Sequence, residues 1–455
     1  MSQPLSRFET LARWPFIDSL YEELLRRGIA YFFPEGRLEV LSGERSRDRA
    51  FLCRSGKNRV ELWWLGLGYS LVSPTHFTAQ QMQLLGAIGQ VLATRYEALW
   101  NTTMAAQSFQ LFRGQPEDRF VSAFLDPEPY ASIEALSLSS DRIAAAIEVL
   151  RVSALTTYEN RRITTGALLF GRKPDPCHEP PDLPSDALLY DGTLTPAKSF
   201  YRLCDGLRTL ALVDGSGRLT NLIDVAEWAG PYRGMILPVP VPTRYHAHCR
   251  ATLCGGHVCL VLTPSGEIKI FAEGTQVFRF SDGRWRLTDT EEKYRRWSEA
   301  IGDSQLASRL FQVALDMAED RRGGLFIILD DAEAARHLVQ PHDRLEAGPD
   351  GLQEDGGPSR QAFHYLVHGK RLLDMAPSLI ESLAHIDGAI VLDSRSNILA
   401  FGAIVQPLSE TPGALPAEGG RTTAAMLASR FGKALKISED GIIGFYENGR
   451  CVWEI

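Results

Sequence analysis

The chain alternates between segments with strand periodicity and segments with helical periodicity. Near the N-terminus, Ala50–Arg54 and Arg59–Trp64 flank a polar Ser-Gly-Lys-Asn turn, which predicts a β-hairpin. Thr78 and Gln81 form a capping-box pattern ahead of a helix, and a second helical repeat follows Ser140. The apolar stripe of the first helix consists of Met82, Leu85, Ile88, Leu92 and Leu99. Residues 1–172 are therefore expected to form an N-terminal α+β and helical region.

A proline-rich stretch separates this region from a strand-rich one. Residues 173–186 contain five prolines and predict a linker or domain boundary. Residues 187–300 contain short apolar segments separated by Gly-containing turns, and the last four predict an antiparallel meander. No catalytic constellation is evident in this antiparallel β-rich module. It is either a ligand-sensing module or a structural collar on the domain that follows.

The last third of the chain predicts an α/β domain around a mixed sheet, spanning residues 303–455. Its first helix has Asp303 or Ser304 as N-cap and is followed by the buried strand GLFIIL. The segments AIVLD and ILAFGAI supply two more strands of the sheet. A loop rich in Gly, Pro and acidic residues is expected at 344–360, and a helix at 378–385. The helical stripe at the start of the domain consists of Leu306, Leu310, Val313 and Met317.

Length and composition narrow the function classes. At ~150 residues per domain, the 455 residues correspond to about three domains. The formal net charge of −8 differs from the positive charge that DNA-binding proteins use to bind phosphates, so no DNA partner is expected. No stretch approaches the ~20 apolar residues of a membrane span, and the N-terminus lacks a signal-peptide pattern. The protein is expected to be cytoplasmic, without membrane association.

A cluster of cysteines and histidines raises the question of zinc. His246, His248, Cys249, Cys254, His257 and Cys259 lie within fourteen residues. Zinc sites usually contain a Cys-x-x-Cys pair, which this segment lacks. A hairpin turning at Gly255-Gly256, with buried thiols in its strands, also explains the pattern. Zinc is therefore not expected.

Three short motifs near the C-terminus carry the candidate chemistry. Asp387-Gly388-Ala389 opens an apolar strand, where a carboxylate is costly to bury without a partner. Gly419-Gly420-Arg421-Thr422-Thr423 opens a helix, whose N–H groups favour phosphate. Ser438-Glu439-Asp440-Gly441 forms a turn before the last strands. The alternative interpretation of the first motif is an ordinary Asp-Gly turn.

These motifs, in this order and with Gln406-Pro407-Leu408-Ser409 between the first two, resemble the diadenylate cyclase (DAC, or DisA nucleotide-binding) domain. In that family an Asp-Gly-Ala turn faces a Thr-Arg-His-Arg stretch across bound ATP. The resemblance covers only the last third of the chain. It implies that Asp387 binds a divalent metal, Mg²⁺ or Mn²⁺, or the attacking ribose hydroxyl, and that Gly388 and Ala389 let the nucleotide approach the backbone closely.

The second motif departs from the family pattern. Arg421 is in register, but Gly420, Thr422 and Thr423 replace the family's Thr, His and second Arg. The threonines donate hydrogen bonds but supply no positive charge. Losing one electrostatic donor typically costs ~10²–10³ in rate, whereas binding needs no transition-state stabilisation. The chain therefore resembles the degenerate sensor branch of the fold, the DACNV type.

The resemblance implies a nucleotide-binding sensor that binds an adenine nucleotide or cyclic dinucleotide without efficient catalysis. An alternative is a divergent diadenylate cyclase with Asp387 as catalytic residue, a divalent metal and Arg421. A third interpretation is a purely structural DAC-like domain with an empty pocket. The expected nucleotide-binding residues are Asp387, Gly388, Ala389, Gly419, Gly420, Arg421, Thr422, Thr423, Ser438 and Glu439.

A sensor does not need the face-to-face pairing by which a cyclase joins two ATP molecules. The acidic loop at 344–360 is also poorly suited to a self-complementary contact, because like charges would meet across a two-fold axis. Any homo-oligomer is therefore expected to form through the N-terminal modules.

Overall fold

A computed structural model describes residues 15–44, 51–99, 111–132, 135, 141–182, 184, 186–345, 364–406 and 419–455. The chain divides into two compact units. Unit 1 contains Met1–Leu237 and Ala247–Asp289, and unit 2 contains Pro238–His246 and Thr290–Ile455. Each combines helices with a mixed parallel and antiparallel sheet, which confirms the α/β character predicted for the C-terminal domain. None of the helices within the described ranges is both long enough and apolar enough to cross a membrane.

The described elements, numbered along the chain, are as follows. The helices are α1 Pro15–Phe32, α2 Ala79–Leu99, α3 Pro116–Leu125, α4 Arg142–Ala154, α5 Val225–Trp228, α6 His246–Ala251, α7 Thr290–Ile301, α8 Ser304–Glu319, α9 Ala335–Leu338, α10 Pro377–Ala384 and α11 Gly420–Ala428. The strands of unit 1 are β1 Arg37–Glu44, β2 Phe51–Ser55, β3 Arg59–Trp64, β4 Leu67–Val72, β5 Thr157–Tyr158, β6 Arg161–Arg162, β7 Thr165–Leu169, β8 Thr209–Val213, β9 Leu219–Asp224, β10 Val258–Leu262, β11 Ile268–Ala272, β12 Thr275–Ser281 and β13 Arg284–Leu287. The strands of unit 2 are β14 Gly324–Leu329, β15 Ala389–Asp393, β16 Ile398–Ala403, β17 Gly432–Ile437, β18 Ile443–Glu447 and β19 Arg450–Glu454.

The first part of unit 1 follows its local sequence signals. The β2–β3 hairpin forms as predicted, with Ser55 opposite Val60, in a four-stranded sheet of order β1-β4-β3-β2. The capping box of α2 is also confirmed, because the Thr78 and Gln81 side chains each accept the other residue's backbone N–H at 3.1 Å. The stripe of α2 enters the core except at its end, where Leu99 is exposed.

The boundary predicted at 173–186 is wrong. β7, which precedes that stretch, lies between β10 and β8 in a seven-stranded sheet of order β13-β12-β11-β10-β7-β8-β9. Strands from both sides of the prolines therefore share one sheet and one compact unit. The β10–β13 meander is antiparallel as predicted, but β7 and β8 pair in parallel, so 187–300 is not a separate antiparallel module.

A buried hydrogen-bond network connects Asp175 of the proline-rich stretch to other segments of unit 1. Asp175 accepts a hydrogen bond from Tyr232 at 2.5 Å and one from His257 Nε2 at 2.6 Å. The other ring nitrogen of His257, Nδ1, accepts the Gly171 backbone N–H at 2.7 Å. His257 is therefore neutral here, because a proton on Nδ1 would displace the Gly171 bond. Prolines typical of a linker are thus ordered by contacts to residues far along the chain.

Folding lowers the pKa values of both His257 and Asp175. Burial lowers the pKa of His257, although Asp175 acts to raise it. Burial alone would raise the pKa of Asp175, but hydrogen bonds from Tyr232, the Cys177 N–H and His257 leave it below its ordinary value. The contribution of His257 to stability is therefore complete above about pH 6.5 and is lost as the pH falls below that value. The contribution of Asp175 is lost only below about pH 4.

We expect His257→Gln to unfold more easily at pH 7.5 by about 1–3 kcal/mol, because it disturbs a buried hydrogen-bond network. The variant should then lose less stability than the unmodified protein between pH 7.5 and pH 5.5, since it no longer carries this titrating group. Urea unfolding at the two pH values measures both effects. Equal losses in the two proteins would show that His257 does not couple folding to pH.

Unit 2 is organised around its own six-stranded sheet, of order β16-β15-β14-β17-β18-β19. The central strand β14 is parallel to β15 and antiparallel to β17, and all six of its residues are buried. Asp303 caps α8 by accepting the N–H groups of Gln305 and Leu306, and the predicted stripe of α8 is fully buried. The predicted mixed sheet of GLFIIL, AIVLD and ILAFGAI is thus confirmed.

Unit 2 extends beyond the predicted 303–455 boundary. It also contains α7 and the segment Pro238–His246. Thr243 binds the carboxylate of Asp316 through its backbone N–H at 2.6 Å and its hydroxyl at 2.9 Å. The predicted acidic loop at 344–360 falls almost entirely on 346–363, outside the described residues.

Candidate functional site

The register of unit 2 brings the predicted motifs to one edge of its sheet. Phe326 of β14 lies opposite Ile390 of β15, and Gly324 lies opposite Ile437 of β17. The residues just before β15 and just after β17 therefore flank the start of β14. Those residues are Asp387 and Glu439, which belong to the first and third motifs.

The Asp387-Gly388-Ala389 turn is shaped by a close backbone approach. Gly388 has φ 114°, and a Cβ at this position would overlap the carbonyl group of Gly402. Ala389 is buried at the start of β15, whereas the Asp387 side chain is 97% exposed. Gly388 is therefore required by the fold itself, and the turn it forms leaves the Asp387 carboxylate free to meet solvent or ligand.

We expect Gly388→Ala to destabilise unit 2 by about 1–3 kcal/mol or more, because a positive φ is strained for alanine and its Cβ meets backbone. Gly420→Ala is the matched control. A Cβ at Gly420 would have no neighbour within 4 Å, and Gly420 does not have a positive φ. Guanidinium unfolding of the full chain distinguishes the two substitutions. Equal stability of both variants would contradict the steric account of Gly388.

Arg421 links the three motifs. Gly419 has φ 85° and precedes α11, so that Arg421 lies in the first turn of this helix. The Arg421 guanidinium is 3.9 Å from the Asp387 carboxylate and donates a hydrogen bond to Glu439 at 3.0 Å. It lies against Gly323, where a Cβ would overlap it. Residues far apart in sequence thus converge on one cation that is one-third exposed.

A second cation lies beside the same motif. Lys436 Nζ donates a hydrogen bond to Thr422 Oγ1 at 3.1 Å and lies 6.0 Å from the centre of the Tyr446 ring. Burial raises the pKa of Tyr446 to about 12, so its phenol stays neutral at physiological pH. Sequence reasoning missed Lys436. The sequence offered only a weak signal, a lysine two residues after Ala434 and therefore on the same face of an apolar strand.

Other predicted site residues have local structural roles. The Ser438 hydroxyl accepts the Ile442 backbone N–H at 3.1 Å and closes the turn between β17 and β18. The Thr423 hydroxyl donates to the Gly419 carbonyl at 3.4 Å, within the first turn of α11. Of the segment resembling the family's Leu-Pro-Leu-Ser, only Gln406 lies within the described residues.

The cysteines and histidines between His246 and Cys259 form no metal-binding group in the described part of the chain. Within the described residues, no three His, Cys, Asp or Glu side chains lie close enough to hold one. His248 binds the Gly206 carbonyl at 3.0 Å, and burial raises the pKa of the Cys249 and Cys259 thiols. The predicted hairpin at Gly255-Gly256 is wrong, because this turn joins α6 to β10.

Unit 1 contains a solvent-open groove of about 480 Å³ beside the β5–β6 hairpin. Two of its arginines are already engaged: Arg202 pairs with Glu159 at 2.7 Å, and Arg162 binds the Ser265 carbonyl at 3.0 Å. Its Asp205 accepts three backbone N–H groups. Because these charges are largely satisfied, the unit 2 motifs remain the stronger candidate site.

Comparison with known proteins leaves the family open. No family model matches the chain, and no curated protein matches it. Among solved structures, a hypothetical membrane-spanning protein from Bacillus cereus is 20% identical, with a TM-score of 0.26, over 36% of this chain and 70% of that one. A double cysteine mutant of DacA from Staphylococcus aureus is 21% identical, with a TM-score of 0.19, over 36% of this chain and 87% of that one. TM-scores this low do not establish a common fold.

Proposed function

We propose that unit 2 is a DAC-like nucleotide-binding domain and that the protein is a cytoplasmic sensor of an adenine nucleotide or cyclic dinucleotide. The observation that carries the proposal is the convergence of Asp387, Arg421 and Glu439 at one sheet edge. These residues come from three of the four motifs on which the resemblance to diadenylate cyclases rests. In this proposal, any homo-oligomer forms through the N-terminal modules.

Arg421 is the expected phosphate-binding group. Its fork of N–H donors suits phosphate oxygens, and the first turn of α11 favours negative charge nearby. Asp387 and Glu439 hold the guanidinium at the sheet edge without burying it. A phosphate would replace or share the Glu439 contact, since Glu439 is 71% exposed and able to move aside.

The residues present fit a divalent cation that arrives with the nucleotide. Asp387 offers an exposed carboxylate, and Mg²⁺ is commonly bound by one or two carboxylates plus substrate phosphates. Bound Mg²⁺ or Mn²⁺ would offset the repulsion between a polyphosphate and the Asp387 and Glu439 carboxylates. The protein itself positions the Asp387 carboxylate beside Arg421.

Binding without efficient turnover is the expected outcome. Joining two ATP molecules develops charge on the α-phosphates and on the leaving pyrophosphate, which cations and preorganised donors must stabilise. Where the resembled family has His and a second Arg, this chain has Thr422 and Thr423. Their hydroxyls contribute hydrogen bonds but no charge, so ground-state binding is affected less than the transition state.

Arg421→Ala should weaken the binding of cyclic diadenylate, and of ATP with Mg²⁺, by about 10- to 100-fold, because a charge-assisted hydrogen bond is worth ~1.5–3 kcal/mol. Arg430→Ala is the matched control. Arg430 is an exposed arginine just beyond the opposite end of α11, and its loss should change affinity by less than about twofold. Isothermal titration calorimetry on the full chain measures both. Unmodified protein that binds neither ligand would refute the proposal.

The divergent cyclase remains the second candidate, favoured by the exposed Asp387 carboxylate beside Arg421. Incubation with ATP and Mn²⁺, followed by mass spectrometry, separates the two functions. The sensor proposal expects retained nucleotide without cyclic diadenylate. Sustained product formation that Asp387→Asn abolishes would instead establish the cyclase.

A further inference from the structure

We propose that Lys436 is a second phosphate-binding residue of the unit 2 site, held in position by Thr422. The inference rests on the proposed function and deepens it, because it assigns to a strand residue the positive charge that the Gly420-Arg421-Thr422-Thr423 motif lacks. The ligand group it would contact is a phosphate of an adenine nucleotide, either a phosphodiester or the terminal part of a polyphosphate.

The first argument is the position of Lys436 in the sheet. β17 is an interior strand, and Lys436 lies between Leu325 of β14 and Gly444 of β18. Its side chain is on the same face as Ala434, which packs with the buried Ala425 and Ala428 of α11. A lysine on this face is therefore half-buried beneath the start of α11, where desolvating an ammonium group is costly.

The second argument is that this charge has no counter-ion within the part of the chain that the structure describes. Among the described residues, no carboxylate lies within 4.0 Å of Lys436 Nζ, whose nearby polar groups are the Thr422 hydroxyl and the Tyr446 ring. Lys433, on the same strand, contrasts with it because its ammonium pairs with Asp330 at 2.5 Å. A half-buried, unpaired ammonium beside a candidate nucleotide site indicates an anionic ligand.

The third argument is the chemistry of the contact. Thr422, which accepts the hydrogen bond from Lys436 Nζ, directly follows Arg421 in the first turn of α11, so the Lys436 ammonium lies at the same end of this helix as Arg421. An ammonium is a compact point charge that adapts to phosphate oxygens, and it complements the planar fork of the arginine. Arg421 contacts both carboxylates, Asp387 and Glu439, so Lys436 adds a positive charge that these contacts do not offset. A phosphodiester carries one negative charge, whereas a triphosphate carries several and needs a divalent cation as well.

The test is calorimetry on the full chain with cyclic diadenylate, with ATP plus Mg²⁺, and with adenosine as the phosphate-free probe. Lys436→Met should weaken binding of the two phosphate ligands about tenfold or more, with adenosine affinity unchanged, because only the ammonium–phosphate contact is removed. Lys436→Arg, which restores the charge, should recover most of the affinity. Lys433→Met is the matched control and should stay within about twofold of the unmodified protein.

The salt dependence supplies a readout that a purely structural role would not change. Affinity of the unmodified protein should fall more steeply with added KCl than that of Lys436→Met, because one ionic contact is missing in the variant. Phosphate-ligand affinities equal in Lys436→Met and the unmodified protein, with Arg421→Ala still impaired, would overturn the role of Lys436 and leave the proposed function intact. Failure of the unmodified protein to bind either phosphate ligand would overturn both.

Discussion

The buried central strand β14 is the constraint on which the unit 2 site depends. It pairs in parallel with β15 on one side and antiparallel with β17 on the other. This mixed pairing makes the start of β15 and the end of β17 neighbours across the start of β14. Asp387 and Glu439 therefore reach Arg421 from opposite sides. A shift of either pairing by one residue would turn the affected strand's side chains to the other face of the sheet.

Much of the local structure could be predicted, because its signals lie within a few residues of each other. The Thr78–Gln81 capping box, the Asp303 cap of α8 and the β2–β3 hairpin are examples, and the structure confirms each of them. Such features depend on hydrogen bonds between near neighbours and on apolar periodicity, both of which the amino-acid sequence displays directly.

Features set by distant contacts could not be predicted from one sequence. The prolines of 173–186 indicated a linker, but Asp175 is bonded to Tyr232 and His257, which lie 57 and 82 residues away. Lys436 was overlooked for a related reason. Only the pairing of β17 with its neighbours, together with the packing of α11 on that face, shows that this lysine meets Thr422. A strand position alone does not indicate what covers it.

Two residues of unit 2 that depart from local rules, Lys436 and Gly420, both lie at the start of α11, and such departures are typical of functional sites. Lys436 is a half-buried cation with no carboxylate partner among the described residues, whereas Lys433, three residues earlier, pairs with Asp330. Gly420 occupies a helical position where an added Cβ would meet nothing, so packing does not explain its choice. Both exceptions lower the intrinsic stability of the ligand-free domain, through desolvation of the ammonium and through glycine's helix propensity. Both features suit an anionic ligand at the start of α11, as the proposed nucleotide-binding role of unit 2 requires.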